Sequence, residues 1–186
     1  MLKFFKYKMR RLHTDTEFDK FASEFKNDMG YEVPSTFLKK GKLWAVVNPE
    51  GDYVGGFALV AKHPLRSLEE IPPSYPIFVD PNLVGEVTAV WLKDKYYGIM
   101  WSLHFIYQTM RSPIKYWVYS YPISEVRLGL YYKWADPICI YKGPILRLEG
   151  HPENPEPESV ELLTAWGVVK IALHRNIKYL KKFFGM

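Results

Sequence analysis

The sequence predicts a mixed α/β fold in which one sheet is flanked by helices and a further helix follows at the C-terminal end. Two observations predict it. Apolar residues switch between strand-like and helical spacing along the chain, and the second half follows the order β-α-β-α-β. With 186 residues and a hydrophobic share of 48%, the chain can bury one substantial core. We therefore expect one domain with an appended element.

The first half of the chain is expected to form a strand, two helices and a hairpin. Thr14 and Glu17 have the spacing of a capping box, and the helix that follows should end at Gly30. A shorter helix is expected over residues 34–40. The two strands of the hairpin are joined by a turn rich in Pro, Gly and Asp. The predicted strands of this half are residues 4–12, 43–47 and 53–60.

The second half begins with a proline-rich stretch, residues 63–82, for which we predict a long loop. A strand over 83–92 follows, and then a helix with one apolar face. That face is formed by Ile99, Leu103, Ile106 and Met110. His104 falls on the opposite side of this helix, where we expect it to face solvent. The remaining predicted elements are a strand over 114–121, a helix over 124–134 and a strand over 138–148.

The C-terminal part is predicted to be a linker and one long helix. Residues 149–158 combine three prolines with several glutamates, which is typical of a stiff polar linker. A stripe of apolar residues from Leu162 to Phe184 predicts an amphipathic helix capped by Ser159. We expect its apolar face to dock on the protein's own sheet or in a homodimer. The expected boundaries are 1–148 for the domain, 149–158 for the linker and 159–186 for the helix.

Charge and cysteine content narrow the possible functions. The net charge is +5, with basic residues at both ends but without a nucleic-acid motif, so a nucleic-acid partner is not expected. Early charges and the lack of a long apolar run argue against a signal peptide and a membrane span. The one cysteine, Cys139, indicates a reducing cytoplasmic setting, and we expect it to be buried in its strand. The histidines lack the spacing of metal ligands, so no metal is predicted.

Two stretches resemble motifs of a known family. Residues 86–100 read Glu-Val-Thr-Ala-Val-Trp-Leu-Lys-Asp-Lys-Tyr-Tyr-Gly-Ile-Met, a strand that leads into a helix start at a glycine. This resembles the central motif of the Gcn5-related N-acetyltransferases, in which a strand runs into Arg/Gln-x-x-Gly-x-Gly/Ala. Residues 130–135, Leu-Tyr-Tyr-Lys-Trp-Ala, are similar to that family's Leu-Tyr-x-Lys-x-Gly-Phe segment. The resemblance covers residues 4–148 and implies a twisted, mostly antiparallel sheet.

The start of the helix near Gly98 is the expected binding site of an acyl-CoA. Its first unpaired N–H groups would point at one place, as a pyrophosphate requires, and Lys95 would add positive charge. Met100 stands where the family prefers Gly or Ala, so its side chain is expected to crowd this cradle. The resemblance further implies that Val90 and Leu92 offer main-chain groups to the pantetheine arm of acetyl-CoA or another acyl-CoA. The predicted cofactor-binding residues are Val90, Leu92, Lys95, Tyr97, Gly98, Ile99, Met100 and Trp101.

Two residues are candidates for the proton transfers that direct acyl transfer to an amine requires. Tyr131 stands in the family's tyrosine position, and a phenol with a pKa of about 10 keeps its proton at neutral pH, so it is the candidate acid. The resemblance implies Glu86 as the candidate base, because some members of the family hold a general-base carboxylate or a water on this strand. A carboxyl in an apolar strand must also be paired, exposed in a cleft or raised in pKa, and each of these favours a site over a core. A carboxylate that faces water at the strand edge is the other interpretation of Glu86. Trp44, Trp91 and Tyr119 either line an acceptor pocket or pack in the core.

The sequence thus predicts a cytoplasmic acyltransferase that moves an acetyl or other acyl group from acyl-CoA to a small-molecule or peptide amine. An acyl-homoserine-lactone-synthase-like transferase is an alternative within the same fold, which the long loop over 63–82 would permit. Another alternative is a catalytically inactive binding or scaffolding module, for which Met100 and the appended helix argue.

Overall fold

Seven strands form one sheet in the computed structural model, which describes residues 7–77, 79–93, 98–125, 133–171 and 173–174. The strands are β1 (Lys8–Arg11), β2 (Lys42–Val47), β3 (Tyr53–Val60), β4 (Val84–Leu92), β5 (Tyr116–Pro122), β6 (Ile138–Gly143) and β7 (Glu158–Thr164). The helices with defined bounds are α1 (Asp15–Met29), α2 (Ser35–Leu38), α3 (Arg66–Glu69) and α4 (Gly98–Arg111). Short 3₁₀ turns lie at Pro81–Leu83 and Lys133–Ala135.

The spatial order of the strands is β1-β2-β3-β4-β5-β7-β6. Every described pair is antiparallel except β4 and β5, which are parallel because α4 carries the chain back across the sheet between them. The capping box of Thr14 and Glu17, the end of α1 at Gly30 and the hairpin of β2 and β3 are confirmed. The structure therefore confirms the predicted fold class, a mixed and mostly antiparallel sheet flanked by helices.

Helices cover the sheet on both faces, and each face has its own apolar core. We call the face that α1 covers the α1 face; there the phenyl rings of α1 pack with residues of α2, α3 and the sheet. We call the opposite face the α4 face; there Trp101 and Phe105 pack against Phe57 and Trp117. Val168 joins this second core from a helical segment over residues 165–171 and 173–174. The strands of the sheet thus carry apolar side chains on both sides.

The face of α4 that packs on the sheet is not the one that the spacing predicts. Leu103 and Met110 are 50% and 53% exposed, whereas Trp101, Phe105 and Thr109 are buried. His104, expected in solvent, is half-buried with its ring near those of Trp44 and Phe57. The reason is that α4 carries large apolar residues on both sides. The side with Trp101 and Phe105 packs on the sheet, because these two rings bury more surface than Leu or Met.

The region after residue 149 also differs from the prediction. Residues 158–164 form β7, which lies in the sheet between β5 and β6 instead of beginning a helix, and helical residues start at Ala165. Trp166 and Leu173, expected on the docked stripe, are exposed. A run of Val, Glu and Leu fits a buried strand as well as a helix, and the two strand partners on either side decide between them.

Three smaller expectations have different outcomes. The proline-rich loop contains the short helix α3. Cys139 is exposed, because the strand β6 lies at the edge of the sheet, so the expectation of a buried thiol was wrong. The helix expected over 124–134 lies mostly outside the described residues, because the structure describes only the two ends of this range.

Among the described helices, none has the length and apolar character of a membrane span.

Candidate active site

The strands β4 and β5 pair along only a small part of their length. Their parallel ladder joins Val84, Gly85 and Glu86 to Tyr116, Trp117 and Val118. Beyond it, β5 continues to pair with β7 as far as Pro122, and β4 with β3 as far as Leu92, but the described ladder records no pairs between β4 and β5. We call this region, residues 87–92 of β4 and 119–122 of β5, the β4–β5 opening. Here the carboxyl ends of the two strands do not pair with each other among the described residues.

A bulge in β4 lies at the same place. Thr88 and Trp91 pair with Ala58 and Gly56, so Ala89 and Val90 lie opposite the single residue Phe57. Ala89 has φ of 50°, a left-handed conformation that few residues other than glycine adopt. The bulge bends β4 after Thr88, and the bend accompanies the end of the ladder with β5.

The helix α4 begins at Gly98, shortly after β4 ends at Leu92. Its first backbone N–H groups have no partner within the helix, and they carry the positive end of the helix dipole. Met100 is 52% exposed, while Trp101 is buried in the core of the α4 face. Among the predicted binding residues, Val90 and Leu92 are half-buried in the β4–β5 opening.

Glu86 is the last β4 residue that pairs with β5. It is 1% exposed, on the α1 face of the sheet, and its Oε2 accepts a hydrogen bond of 3.0 Å from the N–H of Ser67 in α3. Burial raises the pKa of Glu86 to about 8, against the lowering effect of the Ser67 hydrogen bond, and the neighbouring carboxylate of Glu70 adds to the rise. Glu86 therefore has no ion-pair partner among the residues that the structure describes and does not face water at a strand edge, and with a pKa of about 8 its charge changes near neutral pH.

Further polar side chains surround Glu70, whose charge acts on Glu86. The Glu70 side chain lies 3.0 Å from Nε2 of His151, and its other oxygen accepts a hydrogen bond of 3.2 Å from Ser120. The N–H of Leu148 donates to Nδ1 of His151, so the ring hydrogen lies on Nε2 and points at Glu70. We call Glu70, Glu86 and Glu158, with Ser120 and His151, the carboxylate cluster. Burial and the charge of Glu70 raise the pKa of Glu158 as well.

The sequence analysis did not identify most of this cluster. Glu70 lies in a proline-rich loop, and His151 and Glu158 in a segment that reads as a solvated linker. Charged residues in such segments are normally exposed, so only the three-dimensional structure shows that they are brought over the sheet. The sequence did contain one signal of the cluster, which is Glu86 itself. A single glutamate within an apolar strand requires polar groups around it.

A second polar group lies on the opposite face of β5 and β7. The carboxylate of Glu161 accepts hydrogen bonds from Tyr119 at 2.5 Å, from Tyr121 at 2.8 Å and from Ser159 at 2.9 Å. Burial, with the hydrogen bond to Glu161, raises the pKa of Tyr121 to about 12. Tyr121 therefore remains protonated, and the hydrogen bonds of both tyrosines to Glu161 hold β5 to β7 beside the β4–β5 opening. The described residues include no group of three His, Cys, Asp or Glu side chains that could hold a metal ion.

Comparison with solved structures identifies this arrangement of sheet and helices. The chain is similar to FeeM, an N-acyl amino acid synthase from uncultured soil microbes, with a TM-score of 0.60 and 12% identity over 87% of this chain and 92% of that chain. It is similar to Arabidopsis thaliana NAA60 in complex with acetyl-CoA, with a TM-score of 0.56 and 11% identity over 85% and 98% of the two chains. A third match is spermidine N-acetyltransferase from Vibrio cholerae in complex with CoA and spermine, with a TM-score of 0.52 and 9% identity over 88% and 98%.

The chain has the fold of the Gcn5-related N-acetyltransferases, or GNATs. No family model matches it, and no curated protein sequence does. At these identities the likeness establishes the GNAT fold, while the chemistry has to be argued from the residues of this chain.

Within the GNAT fold, the predicted site residues fall into three groups. Glu86, Val90 and Leu92 lie along the strand that borders the β4–β5 opening, and Met100 lies in the first turn of α4. Lys95, Tyr97 and Tyr131 lie outside the described residues, as does the side chain of Ile99. The predicted aromatic pocket is not formed, because Trp91 packs on the α1 face and Trp44 and Tyr119 pack on the α4 face.

Proposed function

We propose that this protein transfers an acyl group from an acyl-CoA to the nitrogen of an amine. The observation that carries the proposal is Glu86, a buried carboxyl with a pKa of about 8 at the inner end of the β4–β5 opening. A group with this pKa can accept a proton from an ammonium or amine at neutral pH. Strongly shifted carboxyls are concentrated at functional sites, which supports a catalytic role for Glu86.

The donor in this proposal is acetyl-CoA or another acyl-CoA. Proteins of the same fold have been solved with acetyl-CoA or CoA bound. In this chain the edge of β4 beyond Glu86 pairs with no described residue of β5 and offers its backbone groups to a pantetheine arm, and the N-terminus of α4 offers N–H groups to the pyrophosphate. The side chain of Met100 is exposed and is not packed in the core of the α4 face, so this packing does not fix it over the proposed site.

The reaction proceeds as a direct transfer within a ternary complex. The uncharged amine nitrogen attacks the carbonyl carbon of the thioester, and the carboxylate of Glu86 takes the proton that the nitrogen loses. The carbon–sulfur bond then breaks, and the leaving thiolate takes a proton from an acid. We assign this acid to Tyr131, on the resemblance of residues 130–135 to the family segment.

The acceptor in this proposal is a small-molecule or peptide amine, and it approaches from the α1 face, where Glu86 lies. Two similar structures carry names that fit an amine acceptor, an N-acyl amino acid synthase and a spermidine N-acetyltransferase. The carboxylate cluster supports the proposal, because the negative charge of Glu70 near the base favours the approach of a cationic ammonium group.

The setting that we propose is the cytoplasm, since the single cysteine suits a reducing compartment. We also propose a homodimer through the C-terminal helical segment. The exposed side chains of Trp166 and Leu173 support this assembly, because large apolar residues that cluster on a surface favour a protein interface.

The test of the function combines ligand binding with turnover. Acetyl-CoA at about 100 times its Kd should stabilise the native protein by about 2.7 kcal/mol, which for a domain of this size raises Tm by about 5–10 °C. Release of free CoA in the presence of amines then measures acyl transfer. A Tm that does not change with acetyl-CoA or with longer acyl-CoAs would refute the proposed donor. A Tm increase without turnover on any amine would indicate the inactive binding module.

A further inference from the structure

A cavity of about 270 Å³ opens on the α1 face between α2, α3 and the loop after β6. Pro34, Phe37 and Leu148 give it apolar walls, and Lys40 and Arg66 bring two positive charges to it. The acidic residues at its rim, Glu69 and Glu149, are exposed, so water screens their charges more effectively than that of the buried Arg66. The cavity therefore combines apolar surface with a cationic region.

Arg66 is a buried cation with one unused donor group. The residue is 8% exposed, and its Nη1 donates a hydrogen bond of 2.6 Å to the carbonyl oxygen of Glu149. Its Nε lies 3.6 Å from the carboxylate of Glu70. Its Nη2 is buried and has no hydrogen-bond partner among the described residues. A buried guanidinium group with an unpaired N–H is costly, and an anionic oxygen is the partner that its geometry suits best.

The cationic region adjoins the proposed base. Arg66 is followed in α3 by Ser67, whose N–H binds the carboxylate of Glu86 at 3.0 Å. The guanidinium of Arg66 is near enough to act on the pKa of Glu86, which it lowers against the larger effect of burial. One short helix therefore carries both the cation that lines the cavity and the N–H that holds the base.

We propose that the amine acceptor also carries a carboxylate, which Arg66 and Lys40 bind while the amino nitrogen lies toward Glu86. This inference rests on the proposed function and names its substrate class as amino acids, in preference to simple amines or polyamines. The acceptor carboxylate is the anionic partner that suits the guanidinium of Arg66, which lines the cavity. The apolar surface of Phe37 and Leu148 suits a neutral amino acid with an apolar side chain.

The test compares amino acids with the amines that lack only the carboxylate. Leucine is compared with 3-methylbutylamine, phenylalanine with 2-phenylethylamine and alanine with ethylamine. Each is titrated calorimetrically into the full chain with CoA present. A charge-assisted hydrogen bond supports an expected preference for the amino acid of about tenfold to a hundredfold in Kd for at least one pair.

Lys40→Met should weaken binding of the preferred amino acid by about tenfold, because it removes one cation from a partly exposed position. The affinity for the matching amine, which lacks the carboxylate, should stay the same. Lys62→Met is the matched control, since Lys62 is exposed and does not line the cavity, and it should change neither affinity. If no pair favours the amino acid, or if both lysine variants act alike, the inference is wrong.

Turnover separates this inference from the proposed function. Equal transfer from acetyl-CoA to the amino acids and to their amines would leave the acyltransferase proposal standing and overturn the acceptor class. Selective binding of amino acids without consumption of any acyl-CoA would support the carboxylate site and overturn the acyltransferase proposal.

Discussion

The carboxyl of Glu86 is held by one backbone N–H, that of Ser67, and forms no ion pair with the described residues. A carboxylate in this position pays a desolvation cost that a neutral carboxyl avoids, and the pKa of about 8 reflects the difference. The same burial keeps bulk water away from the site of proton transfer. A single residue thus links the stability of the sheet to the proposed chemistry.

Glu86→Gln should lower kcat by about 10²-fold to 10⁴-fold, because the amide keeps the shape of the side chain but cannot accept the proton. In the unsubstituted protein, kcat/KM should rise with pH and level off above the pKa of about 8. Steady-state kinetics between pH 6 and 9.5 measure both effects. The control is the Tm increase with acetyl-CoA, which the variant should retain. Undiminished kcat in the Gln variant would remove Glu86 from the mechanism.

The same residue predicts how stability depends on pH. The pKa of Glu86 is raised from 4.5 to about 8 by folding, so the native state holds a proton that the unfolded state has lost between these values. Its contribution to stability is therefore complete below pH 4.5 and is lost as the pH rises through about 8. The slope reaches at most about 1.4 kcal/mol per pH unit. Urea unfolding at several pH values should show this loss in the native protein and a weaker one in Glu86→Gln.

Ala89 offers a test of the bulge in β4. Because its φ is 50° and its side chain is 3% exposed, a β-branched residue there is strained and crowded. Ala89→Val should reduce the free energy of unfolding by about 2–4 kcal/mol. Ala89→Gly relieves the strain but loses a buried methyl group, and it should stay within about 1 kcal/mol of the native protein. Equal stability of the Val and Gly variants would show that β4 is not bulged at this residue.

At the scale of elements, α4 shows how far periodicity alone can be used. Its sequence has apolar residues on nearly the whole circumference, so two faces are equally acceptable to a spacing rule. The capping box of α1 and the turn between β2 and β3 were predictable because each depends on a few neighbouring residues. The orientation of α4 depends on Phe57 and Trp117, which are distant in sequence, and no local pattern reports them.

The orientation of α4 can be tested with two neighbouring residues. Phe105→Ala should cost about 3–5 kcal/mol of unfolding free energy, since it removes a buried ring that packs on Phe57. Leu103→Lys should change that free energy by less than about 0.5 kcal/mol, because Leu103 is 50% exposed and the two residues have similar helix propensities. Chemical denaturation measures both. The reverse order of effects would restore the face that the spacing predicts.

The candidate site was predictable in part, for a related reason. Glu86, Val90 and Leu92 lie on one strand and could be assigned from one stretch of sequence. The cavity and the carboxylate cluster combine α3 with residues 148–158, and the strands β4, β5 and β6 lie between them in the sequence. Only the pairing of β7 with β5 brings those residues back over the sheet. The acceptor side of the site is therefore a product of topology.

At the scale of the whole molecule, the segment that the sequence presents as an appendage completes the sheet. A chain that ends at Gly150 lacks β7, and both β5 and β6 lose their partner on that side. We expect this chain to be insoluble or unfolded by circular dichroism, because unpaired backbone groups and the core residues of β7 are lost together. The control is a chain that ends at His174, which keeps the seven strands. A soluble, cooperatively melting chain ending at Gly150 would contradict this role of β7.

The insertion of β7 between two earlier strands has a consequence for biosynthesis. The ribosome releases β5 and β6 before β7, so neither can pair with β7 until Thr164 has left the exit tunnel. During that interval β5 presents an aromatic strand edge that can pair with a neighbouring chain. Contacts between residues far apart in sequence also form slowly, which lengthens the exposure. The yield of this protein in a cell should therefore depend on the speed of translation and on chaperones that bind nascent strands.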